Sequence, residues 1–232
     1  MAVGVDGCPA GWIALSSRGL TFEFRVFSTI GELIEHFAQD TIAIDIPIGL
    51  TDAASREIDV VTRGLLGARR SSVFPAPIRP VLDAASREQA CRIGRATDGR
   101  GVGCQSWAIV PKIRQLDSYL RLNPEHLSHV HEVHPELCWR GMNEGAPLQY
   151  PKKNRLGLNE RLQLVSGSFG ESGVDAYHRA SLKYRRCEVQ FDDLLDAFSC
   201  LWTAERIDAN NAVRLLGEPQ RDSANIPMQM VY

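Results

Sequence analysis

The first residues of the chain carry the pattern that most constrains its fold, a short strand that ends in an aspartate and a tight turn. Val3 and Val5 alternate with small residues up to Asp6, which is typical of a β-strand. Glycines and a proline follow at once, and they predict a tight turn before a second strand over residues 12–16. Asp6 is therefore expected at the open end of a buried strand, where glycines let another group approach the backbone. An aspartate in such a place either ligates a metal ion or shapes the turn, and the local pattern leaves both open.

A second aspartate interrupts the most apolar strand-like segment of the chain, residues 41–47. Such a segment is typical of a central strand that is buried on both faces. A charge at Asp45 is costly there unless it is paired or binds a cation. Pro47 ends the strand, so Asp45 lies near its carboxyl end, which is the usual location of sites in open α/β sheets.

Two further elements precede that segment. Residues 21–27 alternate apolar with charged side chains and predict a strand that lies near the edge of a sheet or is solvated on one side. Thr29 and Glu32 have the spacing of a capping box and predict a short helix that reaches about residue 39. The predicted order up to residue 47 is therefore three strands, a helix and a fourth strand.

The chain changes to a helical pattern from about residue 51 to residue 125. The spacing of its apolar residues predicts three helices: residues 52–66, 83–96 and 105–122. The proline-rich loop between the first two helices carries three arginines: Arg69, Arg70 and Arg79. We interpret this segment as a helical insert packed on one edge of the sheet. Its positive charges either coat solvated helices or form a phosphate-binding surface.

The rest of the chain returns to a strand and ends in a long helix. The apolar and turn-forming residues predict these elements in order: a strand over 129–134, a helix over 135–142, a basic loop over 144–156, a helix over 158–165, a flexible loop over 167–173 and a helix over 189–210. The tail after residue 217 is polar and rich in proline, and its last residues, 227–232, are expected to form either a terminal strand or an extended arm.

Three aspartates lie in the first turns of the last helix. Asp193 and Asp196 are three residues apart, so their carboxylates share a face, and Asp192 joins them because it lies four residues from Asp196. Acidic residues near a helix N-terminus are also favoured by the helix dipole. Asp196 stands one turn into the helix among core residues, and it is less easily explained as a simple cap.

Composition excludes several classes of protein. The 232 residues are 44% hydrophobic and 23% charged with a net charge of −2, which is ordinary for a globular chain and gives no global cationic field toward nucleic acid. The six cysteines show no Cys-x-x-Cys spacing, which argues against a structural zinc site and a disulfide framework. We find no membrane-spanning apolar run and no export signal, and we therefore expect a cytoplasmic protein without a membrane partner.

The order of three strands, a helix and a fourth strand is that of the ribonuclease H-like fold. In that fold the fourth strand lies parallel to the first, which would bring Asp6 and Asp45 together. A C-terminal helix across these strands would add Asp193 and Asp196, and Glu132 lies on a further strand. Carboxylates gathered at one point cannot all stay ionised without cations, and oxygen-only ligands select Mg²⁺ or Mn²⁺.

Several segments resemble the family catalogued as domain of unknown function 429, which is described as predicted nucleases of ribonuclease H-like fold. The resemblance covers almost the whole chain in the right order: Val-Gly-Val-Asp6-Gly-Cys-Pro-Ala-Gly-Trp12, Ala-Ile-Asp45-Ile-Pro-Ile-Gly, Gln105-Ser-Trp-Ala-Ile-Val-Pro-Lys112-Ile, Glu132-Val-His134-Pro-Glu136 and Asp192-Asp193-Leu-Leu-Asp196-Ala. It implies an α/β fold, a mixed five-stranded sheet flanked by helices, in a single domain over residues 1–232. The helical insert, about residues 51–125, would lie between strands four and five.

The resemblance also implies a site that is both catalytic and metal-binding. Its acids would be these: Asp6, Asp45, Glu132, Asp193 and Asp196. Lys112 and His134 would be nearby polar partners of the acids.

These observations predict a divalent-metal-dependent nuclease or phosphodiesterase that hydrolyses nucleic acid with two metal ions. The metal would be Mg²⁺ or Mn²⁺, and the partner would be nucleic acid or another phosphodiester substrate. The residues predicted to bind the substrate are basic: Arg69, Arg70, Arg79, Lys112 and His134. The sequence leaves the oligomeric state open.

Other functions stay open at this point. A non-catalytic binding module would keep the same fold. A nucleotide-dependent phosphotransferase of the actin and sugar-kinase type also begins with a glycine-flanked aspartate, but it normally needs two lobes, and this chain lacks a second copy of the first-strand pattern. A zinc or iron site at His129, His131 and His134 is disfavoured because strand alternation separates His131 from His134. A Cys8 nucleophile has no histidine nearby in sequence.

Overall fold

The computed structural model of the protein describes residues 1–232. Five strands form one mixed sheet: β1 (Ala2–Cys8), β2 (Gly11–Arg18), β3 (Thr21–Phe27), β4 (Thr41–Ile44) and β5 (Val130–Glu132). The strand order is β3-β2-β1-β4-β5. The first three strands form an antiparallel meander, β4 pairs in parallel with β1, and β5 pairs in parallel with β4. The predicted α/β class, the pairing of β4 with β1 and the edge position of β3 are therefore confirmed.

Seven α-helices accompany the sheet: α1 (Ile30–His36), α2 (Glu57–Leu66), α3 (Arg87–Asp98), α4 (Cys104–Leu122), α5 (Pro135–Met142), α6 (Arg155–Lys183) and α7 (Phe191–Asp208). Short 3₁₀ helices connect some of them: Gly67–Ser72, Arg79–Asp83 and Pro124–Ser128. Near the C-terminus β6 (Gln220–Arg221) and β7 (Pro227–Met228) form a two-stranded antiparallel sheet. None of the helices combines the length and the apolar character that crossing a membrane requires.

The chain divides into two compact units. The first comprises three segments: Met1–Ile46, Ser128–Val213 and Val231–Tyr232. It contains the five-stranded sheet with α1, α5, α6 and α7. The second unit comprises Pro47–Leu127 and Arg214–Met230, and it holds α2, α3, α4 and the C-terminal β6–β7 pair. The interpretation of residues 51–125 as an insert in a single domain stays a prediction.

The two faces of the large sheet are covered by different helices. One face carries a row of buried apolar side chains from β1, β2 and β3, and α6 and α7 pack on it. The ring of Phe24 on β3, for example, meets that of Phe198 on α7 with centroids 5.5 Å apart. The alternate side chains point to the other face, where Phe27 packs against Phe37 next to α1. The strand alternation thus decides which residues can meet α7.

Local capping signals define where two of these helices begin. The Thr29 hydroxyl accepts a hydrogen bond from the Glu32 amide at 3.2 Å, and the Glu32 carboxylate accepts one from the Thr29 amide at 3.3 Å. This is the predicted capping box of α1. In α7 the carboxylate of Asp193 accepts a hydrogen bond from the Gln190 amide at 2.8 Å, which completes a similar box. The start of α7, and with it the position of its aspartates, is therefore locally determined.

Helix α6 differs from the prediction. The sequence predicts a short helix over 158–165 and a flexible loop over 167–173, whereas the structure has one helical element over Arg155–Lys183 that is interrupted only by a kink at Gly170, inside the predicted loop. The glycines and serines of this stretch lower its helix propensity, but the Phe169 ring packs on the sheet, with its centroid 5.5 Å from that of Phe22 in β3. Packing on the sheet face therefore outweighs local propensity, and Gly170 marks a kink rather than a loop.

Helix α7 lies directly on the backbone of β1 at Gly4. A Cβ placed on Gly4 would collide with the carbonyl oxygen of Ala197 and the amide nitrogen of Leu201, both backbone atoms of the helix. Backbone atoms of a packed helix cannot yield as a flexible side chain can. The missing side chain of Gly4 therefore sets the distance between the helix and the sheet.

We expect Gly4→Ala to lower the free energy of unfolding by at least ~2 kcal/mol, because α7 must move away from β1. The matched control is Gly167→Ala on α6, where an added Cβ meets no atom within 4 Å. That change should stabilise the protein by ~0.5–1 kcal/mol through helix propensity. Urea denaturation of both variants measures the difference, and a Gly4→Ala protein as stable as Gly167→Ala would contradict the described packing.

Candidate functional site

Aspartates from three elements meet on the face of the sheet that carries α7. Asp6 lies in β1, Asp45 directly follows β4, and Asp193 and Asp196 lie in the first turns of α7. The Asp45 amide donates a hydrogen bond to the Val5 carbonyl at 3.0 Å, which extends the parallel ladder by one residue and keeps Asp45 beside Asp6. Since α7 packs on β1, its aspartates approach the same point. We call these four residues the acidic cluster.

Asp6 is buried and is repelled by the other carboxylates of the acidic cluster. Its side chain is buried, at 8% exposure, and its Oδ1 accepts a hydrogen bond from the Gly7 amide at 2.6 Å. Burial raises the pKa of Asp6 well above its ordinary value, and the charges of Asp45, Asp196 and Asp193 raise it further. Only the charge of Lys152 opposes the rise. An ionised Asp6 therefore lacks sufficient compensation.

Asp45 and Asp193 experience the same repulsion. Loss of solvent, followed by the charge of Asp196, raises the pKa of Asp45 to about 7. Loss of solvent also raises the pKa of Asp193 to about 7, and the charges of Asp192 and Asp196 add to the rise. The hydrogen bond from the Gln190 amide and the charge of Lys152 lower the Asp193 pKa only in part. Near neutral pH these carboxyl groups are therefore poised between the neutral and the ionised form.

Asp196 is the best-compensated member of the acidic cluster. It is 2% exposed, and its Oδ1 lies 3.3 Å from the indole Nε1 of Trp139, which donates to it. Its Oδ2 accepts a hydrogen bond from the Lys152 ammonium at 2.6 Å. The same ammonium lies 3.4 Å from a carboxylate oxygen of Asp192. One lysine thus holds two acids of α7.

Lys152 is the residue that sequence reasoning missed. The sequence indicates only a basic loop over 144–156 here, because no motif surrounds Lys152 and its partner Asp196 lies 44 residues further along the chain. The charge of Asp196 is the main cause that raises the pKa of Lys152 above its ordinary value, and partial burial opposes this. Lys152 is therefore a cation throughout the physiological pH range.

The acidic cluster has the Lys152 ammonium beside it, but its side chains do not form a complete set of metal ligands. In the structure no group of three or more His, Cys, Asp or Glu side chains is arranged so that it could hold a metal ion. Four carboxyl groups and one neighbouring ammonium leave the cluster with excess negative charge when all are ionised. It can be neutralised by protons on the carboxyl groups or by a further cation.

The register of the sheet directs Glu132 away from these aspartates. Glu132 is 2% exposed and stands in β5 opposite Ile44, which in turn stands opposite Val5. Side chains alternate along a strand, so Glu132 shares the sheet face of Val5, whereas Asp6 and Asp45 belong to the other face. The role of Glu132 as a ligand stays a prediction that this geometry does not favour. His134 follows β5 and is the N-cap of α5.

The other predicted substrate residues lie in the second unit. Arg69 and Arg70 belong to the 3₁₀ helix Gly67–Ser72, where Arg70 is exposed, and Lys112 is a half-buried residue of α4. Arg79 donates to both carboxylate oxygens of Asp117 at 2.8 Å and also pairs with Asp222. Arg79 is therefore already engaged inside its own unit, and the predicted phosphate contacts of all these residues stay predictions.

Buried thiols adjoin the acidic cluster. All six cysteines are free, and Cys8, Cys138 and Cys200 are buried. Burial raises the pKa of the Cys138 thiol to about 12, although the Thr203 hydroxyl donates to its sulfur at 3.2 Å. Burial likewise raises the pKa of Cys200, and the charges of Asp45, Asp6 and Asp196 raise it further. Cys138 and Cys200 therefore remain neutral thiols at physiological pH.

The fold and the site together define a class: an α/β protein with buried carboxylates at the carboxyl ends of two central parallel strands, completed by a helix. A family model described as "Protein of unknown function (DUF429)" matches residues 4–221, and the chain belongs to this family. Neither the comparison with curated proteins nor the comparison with solved structures returned a match.

We expect the metal-free protein to lose stability as the pH rises from about 4 to about 7. The pKa of Asp45 is about 7 in the folded protein and 3.8 ordinarily, so between these values the unfolded chain releases a proton that the folded chain keeps. Asp193 contributes in the same direction. Asp45→Asn should therefore be more stable than the unsubstituted protein at the upper pH, by roughly 1–3 kcal/mol, and should show a weaker pH dependence.

Thermal unfolding with a chelator present, followed by circular dichroism over this pH range, measures the effect. The control is Asp175→Asn on the exposed side of α6, whose profile should run parallel to that of the unsubstituted protein. Parallel profiles for Asp45→Asn and Asp175→Asn would show that Asp45 carries no such penalty.

Proposed function

We propose that the protein is a divalent-metal-dependent nuclease or phosphodiesterase of ribonuclease H-like fold, which hydrolyses nucleic acid or a related phosphodiester. The observation that carries this proposal is the convergence of Asp6, Asp45, Asp193 and Asp196 from β1, the end of β4 and α7, with raised pKa values at three of the four. Such a cluster lowers the stability of the folded protein, because buried like charges repel one another, so stability does not explain its presence. A functional cation would account for it.

The strand order supports the fold part of the proposal. A meander of three antiparallel strands is followed by a helix and by a fourth strand that pairs in parallel with the first. A further parallel strand and a C-terminal helix across the centre complete the arrangement expected of a ribonuclease H-like domain. In open sheets of this kind, sites lie at the carboxyl ends of the strands. Asp45 directly follows β4, and Asp6 lies near the carboxyl end of β1.

The donor set fits a hard divalent cation. The cluster offers only carboxylate oxygens, which suit Mg²⁺ and Mn²⁺ rather than softer metals. The raised pKa values of Asp6, Asp45 and Asp193 mean that the ionised forms call for more positive charge than Lys152 supplies. Asp6, Asp45, Asp193 and Asp196 would hold the metal. Such ions, when bound, activate water and stabilise the leaving oxygen in phosphodiester hydrolysis.

The side chains of the cluster are positioned by the surrounding structure before any ligand binds. The Gly7 amide orients Asp6, the Gln190 amide orients Asp193, and the Trp139 indole orients Asp196. Asp45 is placed by the backbone hydrogen bond that continues the β1–β4 ladder. Preorganised groups of this kind cost little reorganisation when charge develops in a reaction. The acidic cluster would therefore act as a rigid anionic platform.

We expect cleavage of labelled DNA, RNA or a small phosphodiester in Mg²⁺ or Mn²⁺ and none in the presence of a chelator. Asp6→Asn and Asp45→Asn should each reduce the rate by ~10²-fold or more, because each removes a ligand charge. Asp175→Asn is the matched control, since it removes an exposed charge of the same kind from α6.

Product formation on sequencing gels and release of a chromogenic leaving group measure these rates. A protein that binds nucleic acid in Mn²⁺ without cleaving any substrate would instead be a binding module. Cleavage that persists in Asp6→Asn and Asp45→Asn would place the activity elsewhere.

A further inference from the structure

The acidic cluster already contains one cation, and the structure holds that cation in place. The Lys152 ammonium lies 2.6 Å from Oδ2 of Asp196, although the lysine side chain is still 38% exposed. Lys152 precedes α6, so it reaches the cluster from outside the sheet and outside α7. Lys153, the next residue, is exposed and makes no comparable contact with the cluster.

The loop that carries Lys152 is anchored on its N-terminal side by Glu160 of α6. One carboxylate oxygen of Glu160 accepts a hydrogen bond from the Gln149 amide at 2.7 Å, and the other accepts one from the Tyr150 amide at 3.1 Å. A carboxylate that binds two successive backbone amides restrains the direction of the chain at that point. The backbone just before Lys152 is therefore fixed to the first turns of α6.

The same loop is anchored on its C-terminal side as well. The side chain of Asn154 accepts a hydrogen bond from the Gly157 amide at 2.6 Å and caps α6. A Cβ on Gly157 would collide with the Pro151 carbonyl oxygen, so the turn packs directly on the helix backbone. Only a glycine at 157 permits this approach. The turn around Lys152 is therefore built into the start of α6.

A buried arginine ties these anchors to the core. Arg161 has no exposed surface, and its guanidinium donates to the carbonyl oxygens of Tyr150 and Gly157 at 3.4 Å and 3.1 Å. It also pairs with Glu136 of α5 at 2.6 Å. The loop, α6 and α5 are thus held by one group, which makes the position of Lys152 a property of the folded unit rather than of a mobile surface loop.

We propose that Lys152 is the resident cation of the acidic cluster, and that its ammonium and a divalent metal ion compete for Asp196. The inference rests on the proposed function in one respect, because it takes the acidic cluster as the metal site. It also accounts for the lack of a complete metal shell in the structure, since the ammonium takes one of the carboxylate oxygens that a metal would need.

The competition follows from charge and from the length of the lysine side chain. A metal ion beside Asp196 would repel the ammonium and would lose one ligand oxygen to it. The lysine stem is flexible and partly exposed, so the ammonium can turn to solvent while the anchored backbone stays in place. Metal binding would therefore carry the cost of breaking the Lys152–Asp196 pair.

The experiment is calorimetric titration of the full chain with MnCl₂ at constant ionic strength and pH. We expect Lys152→Met to bind Mn²⁺ at least ~10-fold more tightly than the unsubstituted protein, because a unit charge beside the ion is removed. Lys153→Met is the matched control and should change the dissociation constant by less than ~2-fold, since its charge is exposed and screened. Lys152→Arg, which keeps the charge, should bind no more tightly than the unsubstituted protein.

A second variant keeps the test independent of the folding of Lys152→Met. Glu160→Ala leaves Lys152 in the chain but releases the amides of Gln149 and Tyr150. It should tighten Mn²⁺ binding by an intermediate factor of ~2-fold to ~5-fold, because a less restrained lysine occupies Asp196 less of the time. Circular dichroism establishes that each variant is folded before titration.

The outcomes separate this inference from the proposed function. Tighter binding in Lys152→Met and Glu160→Ala supports the competition whether or not the loaded protein cleaves a phosphodiester. Binding that is unchanged or weaker in both variants, with normal binding by the unsubstituted protein, overturns the competition and leaves the metal site standing. Absence of Mn²⁺ binding in every variant overturns both. Tight binding without hydrolysis overturns only the proposed function.

Discussion

The repulsion among buried carboxylates at one point is the constraint on which the rest of the site depends. Asp6 and Asp45 are brought together because β1 and β4 are parallel neighbours, and α7 adds Asp193 and Asp196. Burial and mutual charge then raise the pKa of Asp6, Asp45 and Asp193. The free-energy cost of burying these carboxylates together must be offset by protons on the carboxyl groups, by Lys152 or by a further cation. These three forms of compensation differ in their effects on stability and on chemistry.

The close contact between α7 and β1 sets how near the acids of the helix lie to those of the sheet, so the repulsion among them depends on the packing of the first unit. Gly4 lets the helix backbone lie on the strand, and the capping box at Gln190 sets where the helix begins. The same contact that forms the apolar core therefore also fixes the separation of the acids. Stability and site geometry cannot be varied independently here, because a change in the distance between helix and strand alters both.

Much of the acidic cluster could be predicted from the sequence, because three of its four members are local anomalies. Asp6 and Asp45 interrupt apolar strands, and Asp196 stands among core residues of a helix. Glu132 looked equivalent to them in sequence, yet the register with Ile44 directs it to the other sheet face. Lys152 gave no signal, since a lysine in a basic loop is ordinary until its partner is known. Helix α6 was divided in the prediction because glycine and serine lower helix propensity, whereas packing on the sheet restores the helix.

The sequence by itself determined the α/β class, the order of the first four strands along the chain and the capping of α1, because periodicity and capping are visible within a few residues. It indicated the four aspartates only as part of a set of five acids that included Glu132. Only the tertiary structure decided which acids share a face and which cation they meet. Sheet register depends on the pairing of strands distant in the chain, and the Lys152–Asp196 pair joins residues 44 positions apart. Such long-range pairings leave no local pattern, since they are selected by packing and by the energy of charges in the folded protein.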